Sequence, residues 1–400
     1  MAIPIHDLWW LAAGSGASYG ARYMKVRVDA ALAARRRRHE PDPTGHLLRL
    51  QTLYGYNAHS LVSIAPGASA WSTPDIDGAI VYGEFGRVWL AAGDPLTSIE
   101  DMAELARGFS AFARTKNRVA AFVPATSKFA KQVVPANFSA VKVGAAPFFD
   151  LKTWNPRGDA AKKMRAGVNQ AKRGGVTVEA IDDDISDALR KETAELCLHW
   201  LGSRPAGTTF GWLVALDPFL HAEYKKYFAA RVNGKLVGFL AASPIPARKA
   251  WYLEDVLREP DAPQGTATLL VVEALAKLRQ EGVDLVTLGT SPLAKDGPDE
   301  FPTEQRMVVR ALDLASRRFS GFYNFEGLRR FKARFAPSWW ESEYVLSQRG
   351  VTIPPRVGHA IVRALAPGGL TQLLTRQAVR VARLENVTKL FTSTSKLASK

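Results

Sequence analysis

The sequence predicts an α/β fold with two halves. In both halves, apolar runs of strand length alternate with amphipathic stretches of helical period, which indicates helices packed on a sheet. The 400 residues are 47% hydrophobic, enough for a large core and for two or three domains. A formal charge of +15, from 53 basic against 38 acidic residues, favours nucleic acid, an anionic membrane or an acidic ligand as partner.

The first half begins with strands and continues with a helix. GAIVYGEFGRVWLAAGDP, Gly78 to Pro95, contains two strand-like runs. DMAELARGFSAFARTKN, Asp101 to Asn117, has apolar residues at helical spacing and predicts a helix with one buried face. VAAFVPAT, residues 119–126, then returns as a strand.

The second half also contains strands and a helix. YFAARVNGKLVGFLAASPI, Tyr227 to Ile245, predicts a hairpin that turns at Asn233-Gly234, a strong hairpin signal. The segment WYLEDVLRE predicts a strand, TATLLVVEALAKLRQEG a helix, and DLVTLGT another strand.

Both ends of the chain are basic. Arg35 to Arg38 form a run that is either a solvated linker cluster or a contact for phosphate groups of lipid or RNA. Residues 347–400 contain nine basic residues and one acidic residue. Within them, Leu370 to Phe391 predicts an amphipathic helix, which either lies on anionic lipid or packs on the protein body.

Targeting and redox signals are few. LWWLAA, Leu8 to Ala13, precedes the basic residues, whereas a secretory signal places its charges first. No apolar run approaches the ~20 residues of a membrane-spanning helix. The single cysteine, Cys197, excludes a disulfide framework and a cysteine zinc site, and in its apolar helical run it is interpreted as an ordinary buried thiol. We therefore expect a cytoplasmic protein.

Lys332 is the most informative residue. In FYNFEGLRRFKARFAPSWW, Phe322 to Trp340, a helical repeat places Phe325, Leu328 and Phe335 on one stripe with Lys332 in its middle. One interpretation is a lysine whose stem covers apolar surface while its amine reaches water. The other is a buried ammonium that binds a substrate anion or a developing negative charge.

Six segments in this order resemble the catalytic domain of phosphatidylglycerol lysyltransferases, the multiple peptide resistance factor family. The resemblance covers roughly residues 45 to 348. The segments are Gly93 to Pro95, Arg165 to Glu179, Val232 to Ala242, Leu253 to Thr266, Leu288 to Ala294 and Phe322 to Trp340.

The resemblance implies a tandem fold of two units similar to GCN5-related N-acetyltransferases, with basic helical extensions at both ends. The expected divisions are an N-terminal extension at 1–45, a first acyltransferase-like unit at 46–160, a second and catalytic unit at 161–346, and a C-terminal tail at 347–400. Members of this family usually carry many transmembrane helices ahead of the domain, so the two basic ends are expected to attach this chain to the inner face of the membrane.

Three residues are expected to be catalytic: Asp255 and Arg258 through this resemblance, and Lys332 through its place in the apolar stripe. Asp255 is expected to hold the α-ammonium of the donor, Arg258 to pair with a phosphate, and Lys332 to stabilise the oxyanion or an adjacent phosphate. From the residues alone, Asp255 and Arg258 could instead form a salt bridge with each other. The expected substrate-binding residues are Gln264, Gly265, Thr266, Ser291, Tyr323 and Asn324.

Residues 264–266 open a predicted helix, whose N-terminus attracts anions. A single glycine is sparse for the pyrophosphate of acetyl-CoA and leaves room for a different anionic donor, which the resemblance implies is the acceptor end of an aminoacyl-tRNA. His199 could be a general base, but we interpret it as a packed structural residue. Where the family has a basic residue before its tyrosine, this chain has Glu343.

The implied reaction moves an aminoacyl group from aminoacyl-tRNA to a hydroxyl of a membrane lipid, such as phosphatidylglycerol or diacylglycerol. Because an ester is already activated, we expect no metal or other cofactor. Two alternatives stay open: an acyl-CoA-dependent N-acyltransferase acting on a soluble amine, and a non-catalytic module that binds tRNA or lipid.

Overall fold

The computed structural model describes residues 43–182, 185–203, 216–301 and 324–348, together with residues 357, 358, 360 and 361. Most of the predicted basic extensions, including Arg35 to Arg38 and Leu370 to Phe391, lies outside these residues. Within the described ranges, no helix combines the length and apolar character that crossing a bilayer requires.

The first half contains five strands and three helices among the described residues. The strands are β1 (Ser69–Trp71), β2 (Ile80–Phe85), β3 (Val88–Ala92), β4 (Val119–Thr126) and β5 (Phe138–Asp150). The helices are α1 (Pro43–Tyr54), α2 (Met102–Thr115) and α3 (Ser127–Val133). The predicted strands at 78–95, the helix at 101–117 and the strand at 119–126 are confirmed.

The second half contributes the remaining described elements. Its strands are β6 (Thr177–Ile181), β7 (Lys226–Val232), β8 (Lys235–Ile245), β9 (Ala250–Arg258), β10 (Leu285–Thr287), β11 (Ser291–Pro292) and β12 (Trp339–Gln348). Its helices are α4 (Lys162–Arg173), α5 (Asp187–Gly202), α6 (Thr266–Gln280) and α7 (Phe325–Ala333). The predicted hairpin forms from β7 and β8, which pair antiparallel on either side of Asn233 and Gly234.

One sheet joins the two halves, and its topology repeats. In the first half, β1, β2 and β3 pair antiparallel, and α2 then leads to β4, which is parallel to β3. In the second half, β6 to β9 pair antiparallel, and α6 leads to β10, which is parallel to β9. This repeat confirms the predicted α/β fold of two similar units.

The last strand of each half lies in the other half. The sheet order is β1-β2-β3-β4-β12-β5-β10-β9-β8-β7-β6. Thus β12, from the second half, lies between β4 and β5, whereas β5, from the first half, lies between β12 and β10. Because of this exchange, residues of β12 lie at the junction of the halves. The predicted boundaries at 45, 160 and 346 stay predictions.

Apolar side chains cover the faces of this sheet. In the second half, α4 and α6 pack with Phe149, Leu253 and Phe335 on one face, and α5 packs with Phe239 and Leu257 on the other. In the first half, α2 and α3 form a core with strand residues that include aromatic rings of β3, β4 and β12. The helices therefore hold the sheet in place, and the centre of the sheet positions the candidate site.

Candidate active site

Lys332 lies near the end of α7, and its side chain is buried, with only 7% of the residue exposed. Asn324 caps the helix, and its side chain accepts a hydrogen bond from the backbone N–H of Gly327 at 2.7 Å. Lys332 Nζ donates to the carbonyl oxygens of Gly289 at 2.9 Å and Thr290 at 2.7 Å. The interpretation of Lys332 as a lysine that reaches water is therefore wrong, because its amine is directed at backbone oxygens that follow β10.

Burial shifts the pKa values of Lys332 and of the groups around it. It lowers the pKa of Lys332 to about 7, because an ammonium is poorly solvated in the interior, and the charge of Glu343 opposes this shift. Burial, followed by the charge of Lys332, lowers the pKa of His59 to about 4. At neutral pH, His59 is therefore an uncharged imidazole beside an amine that is close to its titration point.

Glu343 faces the same site from β12. It is 6% exposed, and its Oε1 accepts a hydrogen bond from the Thr290 hydroxyl at 3.1 Å. Its Oε2 is buried without a hydrogen-bond partner. Burial raises the pKa of Glu343 to about 7, while Thr290 and Lys332 oppose the increase. The sequence showed Glu343 only as a departure from the family pattern, so its place in the site is new.

Thr290 connects the two titrating groups. Its carbonyl oxygen accepts from Lys332 and its hydroxyl donates to Glu343. The preceding residue, Gly289, approaches Tyr252 so closely that a Cβ at Gly289 would lie 2.3 Å from the tyrosine ring. This close approach brings Tyr252, whose ring centroid is 5.5 Å from that of His59, to the edge of the site.

Asp255 belongs to a second polar cluster, on β9. Its neighbour Glu254 lies at an irregularity in the pairing of β8 with β9, accepts from Ser243 Oγ at 2.6 Å and forms an ion pair with Lys225. The side chains of Lys225 and Glu254 are 1% and 5% exposed. Burial, followed by the charge of Glu254, raises the pKa of Asp255, and Lys225 opposes this change.

Tyr252 lies between the two clusters. On one side it pairs in register with Thr287 of β10, which precedes the Lys332 contacts, and on the other with Ser243 of β8, which contacts Glu254. The sheet therefore places the Asp255 cluster and the Lys332 cluster on either side of one tyrosine. That Asp255, Arg258 and Lys332 act in one cavity stays a prediction.

Arg258, at the end of β9, is exposed, and its guanidinium donates to the carbonyl oxygens of Glu259 at 2.8 Å and Pro260 at 3.2 Å. These bonds hold it along its own strand end. Its partners are backbone oxygens, which differs from the alternative of a salt bridge between Asp255 and Arg258.

The N-terminus of α6 has a packing role that the sequence did not show. A Cβ at Gly265 would lie 1.9 Å from the carbonyl oxygen of Gly167 in α4, so only glycine permits this helix contact. Thr266 is buried and donates its hydroxyl to Pro263 O at 2.7 Å, whereas Gln264 is exposed. Anion binding by residues 264–266 stays a prediction.

Arg334 adds positive charge at this helix end. Its guanidinium lies 3.5 Å from the hydroxyl oxygen of Thr268, in the first turn of α6, and its Nε is buried without a hydrogen-bond partner. Since helix N-termini and arginine both favour anions, this arrangement suits a phosphate group.

The other predicted site residues have mixed placements. Ser291 is buried, and its Oγ has no hydrogen-bond partner. Asn324 caps α7, and Tyr323 lies outside the described residues. Within the described part of the chain, no group of three or more His, Cys, Asp or Glu side chains could hold a metal ion.

His199 and Cys197 lie on α5, away from Lys332. The interpretation of His199 as a packed residue is wrong: its side chain is 61% exposed and contacts Glu259 at 3.0 Å. The buried stripe of this helix follows Leu189, Thr193 and Leu196, and His199 lies off it. Cys197 is half-buried, and burial raises the pKa of its thiol to about 12, so the thiol is protonated at neutral pH.

Comparison with known proteins identifies the family. Residues 50–347 match the family model for the C-terminal part of phosphatidylglycerol lysyltransferase. Phosphatidylglycerol lysyltransferase of Bacillus subtilis is 23% identical over 286 residues, which cover 71% of this chain and 33% of that protein. The bifunctional lysylphosphatidylglycerol biosynthesis protein LysX of Nocardia farcinica is 24% identical over 305 residues, covering 75% and 26% respectively. The chain spans about a third of the length of the first of these relatives.

Solved structures share the fold. A C-terminal domain assigned to lysylphosphatidylglycerol synthetase from Agrobacterium fabrum superposes with a TM-score of 0.67 at 24% identity, covering 80% of this chain and 96% of that one. L-PGS from Bacillus licheniformis gives a TM-score of 0.66 at 20% identity, covering 81% and 96%. The family match spans most of the chain, and the chain therefore belongs to the phosphatidylglycerol lysyltransferase C-terminal family.

Proposed function

We propose that this protein transfers an aminoacyl group from aminoacyl-tRNA to a hydroxyl group of a membrane lipid. The observation that supports this most is the buried amine of Lys332, held by two backbone carbonyls at the junction of the two units, within a chain of the lysyltransferase family. Phosphatidylglycerol is the acceptor class that the names of the relatives favour.

The reaction is an ester exchange. The lipid hydroxyl attacks the ester carbonyl of the donor, a tetrahedral oxyanion forms, and the 3′-terminal ribose oxygen of the tRNA leaves. An ammonium carries three N–H groups, and Lys332 uses two of them on Gly289 and Thr290. The third N–H can stabilise the oxyanion, and because Lys332 is buried its effect is larger than it would be in water.

The proposed reaction also requires residues that bind the charged groups of the donor. Asp255 receives the α-ammonium of the aminoacyl group, and a nearby phosphate of the tRNA acceptor end meets the N-terminus of α6 with Arg334. Arg258, which is exposed, provides a second cation for the donor backbone. The bonds of these arginines to nucleic acid are expected to be salt-dependent.

Lipid mass spectrometry tests the proposed function directly. The purified chain, supplied with charged tRNA and vesicles of phosphatidylglycerol or diacylglycerol, is expected to yield a lipid whose mass has increased by one aminoacyl group. Ribonuclease treatment should stop this reaction, because the donor is destroyed, and acetyl-CoA should neither support nor inhibit it. Acetylation of a soluble amine from acetyl-CoA in the absence of RNA would contradict the proposal and favour an N-acyltransferase.

Membrane attachment gives a further prediction. The chain should float with vesicles that contain anionic lipid and should release as salt rises, because salt screens exposed charges beyond about 10 Å. Deleting residues 350–400, which lie almost wholly outside the described residues, should remove most of this binding. Flotation that is unchanged by the deletion would show that the tail does not contact lipid.

A further inference from the structure

Glu343 has an unexplained feature: a carboxyl oxygen that is buried and unpaired. The other oxygen, Oε1, is held by Thr290, so the carboxyl group has a defined orientation. An unpaired buried polar atom costs about 1–3 kcal/mol, so native proteins retain few of them without a use. A second such atom, Ser291 Oγ, belongs to the residue that follows Thr290.

The sheet register explains how these groups meet. Glu343 of β12 pairs in register with Gly144 of β5, and on the other side of β5 the same Gly144 pairs with Pro292, next to Ser291. Gly144 leaves no side chain between the flanking strands, and a Cβ there would lie 2.7 Å from Ser291 O. The side chain of Glu343 therefore reaches across β5 to the hydroxyl of Thr290.

Lys332 and Glu343 face one site without forming an ion pair with each other among the described residues. Thr290 joins them instead, through its carbonyl on one side and its hydroxyl on the other. Each group consequently keeps one unused hydrogen-bonding function: the third N–H of Lys332 and the Oε2 atom of Glu343. A hydroxyl group that enters the site can satisfy both the acceptor and the donor.

We propose that Glu343 is the general base of the transfer reaction, an inference that rests on the proposed function. Oε2 takes the proton from the lipid hydroxyl as its oxygen bonds to the ester carbon, and Lys332 holds the oxyanion. When the bond between the ester carbon and the ribose oxygen breaks, the protonated carboxyl returns that proton to the ribose oxygen. Glu343 ends the cycle as a carboxylate, and no other reactant is required.

The positive charge of Lys332 favours this role over binding of a cationic group. Of the other ionisable groups nearby, His59 is uncharged at neutral pH, burial raises the pKa of Asp94, and Glu341 is paired with Arg248. An entering ammonium would be repelled by Lys332, whereas a neutral hydroxyl would not. A carboxyl with a pKa of about 7 is also well matched to proton transfer near neutral pH.

The direct test is Glu343→Gln, which keeps the shape of the side chain and an acceptor for Thr290 but cannot take a proton. The rate of aminoacyl-lipid formation should fall about 10²–10⁴-fold. The wild-type rate should pass through a maximum near pH 7, because Glu343 and Lys332 lose their protons in the same range, and the variant should lose the rising limb and keep the falling one. Glu273→Gln, which removes a carboxylate from the surface of α6, is the matched control and should keep both rate and profile.

A measurement without substrate separates this inference from the proposed function. Because burial raises the folded-state pKa of Glu343 from 4.5 to about 7, the folded state holds the extra proton in that window. The free energy of unfolding of the wild type should therefore decrease, relative to Glu343→Gln, as pH rises from about 4.5 to about 7. If the difference in the free energy of unfolding between the wild type and Glu343→Gln is the same throughout this pH range, the inference is overturned, whether or not lipid is modified.

The activity measurements distinguish failure of the proposed function from failure of the role of Glu343. A wild-type protein that makes no aminoacyl-lipid would refute the proposed function. An active wild type with a Glu343→Gln variant of equal rate and unchanged pH profile would refute only the role of Glu343. If Glu343→Gln does not fold, Glu343→Asp replaces it in the test, because aspartate keeps a carboxyl group. A slower reaction whose rate still rises with pH on the acid side would support the role of Glu343 as general base. Loss of that rising limb would contradict this role.

Discussion

Replacing Lys332 by alanine is expected to lower the rate of aminoacyl-lipid formation by at least about a hundredfold, corresponding to ~3 kcal/mol of transition-state stabilisation. The substitution removes the buried N–H that is proposed to meet the oxyanion. It also leaves the carbonyl oxygens of Gly289 and Thr290 without their donor. Single-turnover rates at saturating donor, together with the free energy of unfolding, separate the two effects.

Lys142→Ala is the matched control for this prediction. Lys142 also donates from Nζ to two backbone carbonyls, of Gly297 at 2.8 Å and Lys295 at 3.4 Å, but it does so from β5 and has no contact with Gly289 or Thr290 among the described hydrogen bonds. Both substitutions remove a lysine that hydrogen-bonds to a loop, but only Lys332→Ala is expected to lower the rate of aminoacyl-lipid formation. Equal rates in the two variants would assign Lys332 a purely structural role.

Gly265→Ala is expected to be the most destabilising of the small substitutions, lowering the free energy of unfolding by about 3–5 kcal/mol. The new Cβ would lie 1.9 Å from the backbone oxygen of Gly167, and α4 and α6 would have to separate. The left-handed backbone of Gly265, with φ of 92°, adds about 1–2 kcal/mol of strain for any residue with a Cβ. Equilibrium denaturation by urea measures the loss.

Gly282→Ala provides the comparison at the other end of the same helix. Gly282 also has a left-handed backbone, with φ of 81°, but a Cβ there would meet no atom within 4 Å. Its substitution should cost only the backbone strain, about 1–2 kcal/mol. Similar losses at Gly265 and Gly282 would show that α4 yields to the added methyl group and that the close helix contact is unimportant.

Local patterns predicted much of the fold because they act over short distances. The Asn233-Gly234 turn, the amphipathic helix at 102–115 and the strands around Gly86 follow from turn chemistry and hydrophobic period, and they form as expected. The exchange of β5 and β12 between the halves was not predictable in this way. Pairing between strands that are distant in sequence depends on which sheet edges are free, and periodicity contains no such information.

In the candidate site, too, only residues with a local sequence signal were predictable. Lys332 was recognisable because a cation in an apolar helical stripe has to be buried or carried to the surface, and the structure buries it. His199 was misread as packed because the buried face of α5 follows contacts with β8 and β9. His59 and Glu254 gave no signal, since their surroundings come from segments far away in the chain.

By itself, the sequence determined the α/β class, the residues that form most helices and strands, and the family, and it placed a lysine, Lys332, within an apolar helical stripe. Only the tertiary structure decided that Glu343 faces Lys332 through Thr290, 53 residues from Glu343 along the chain. It also decided their protonation. Hydrogen bonds of this kind require a particular sheet register, and the pKa values of Lys332 and Glu343 shift because burial removes water from both groups.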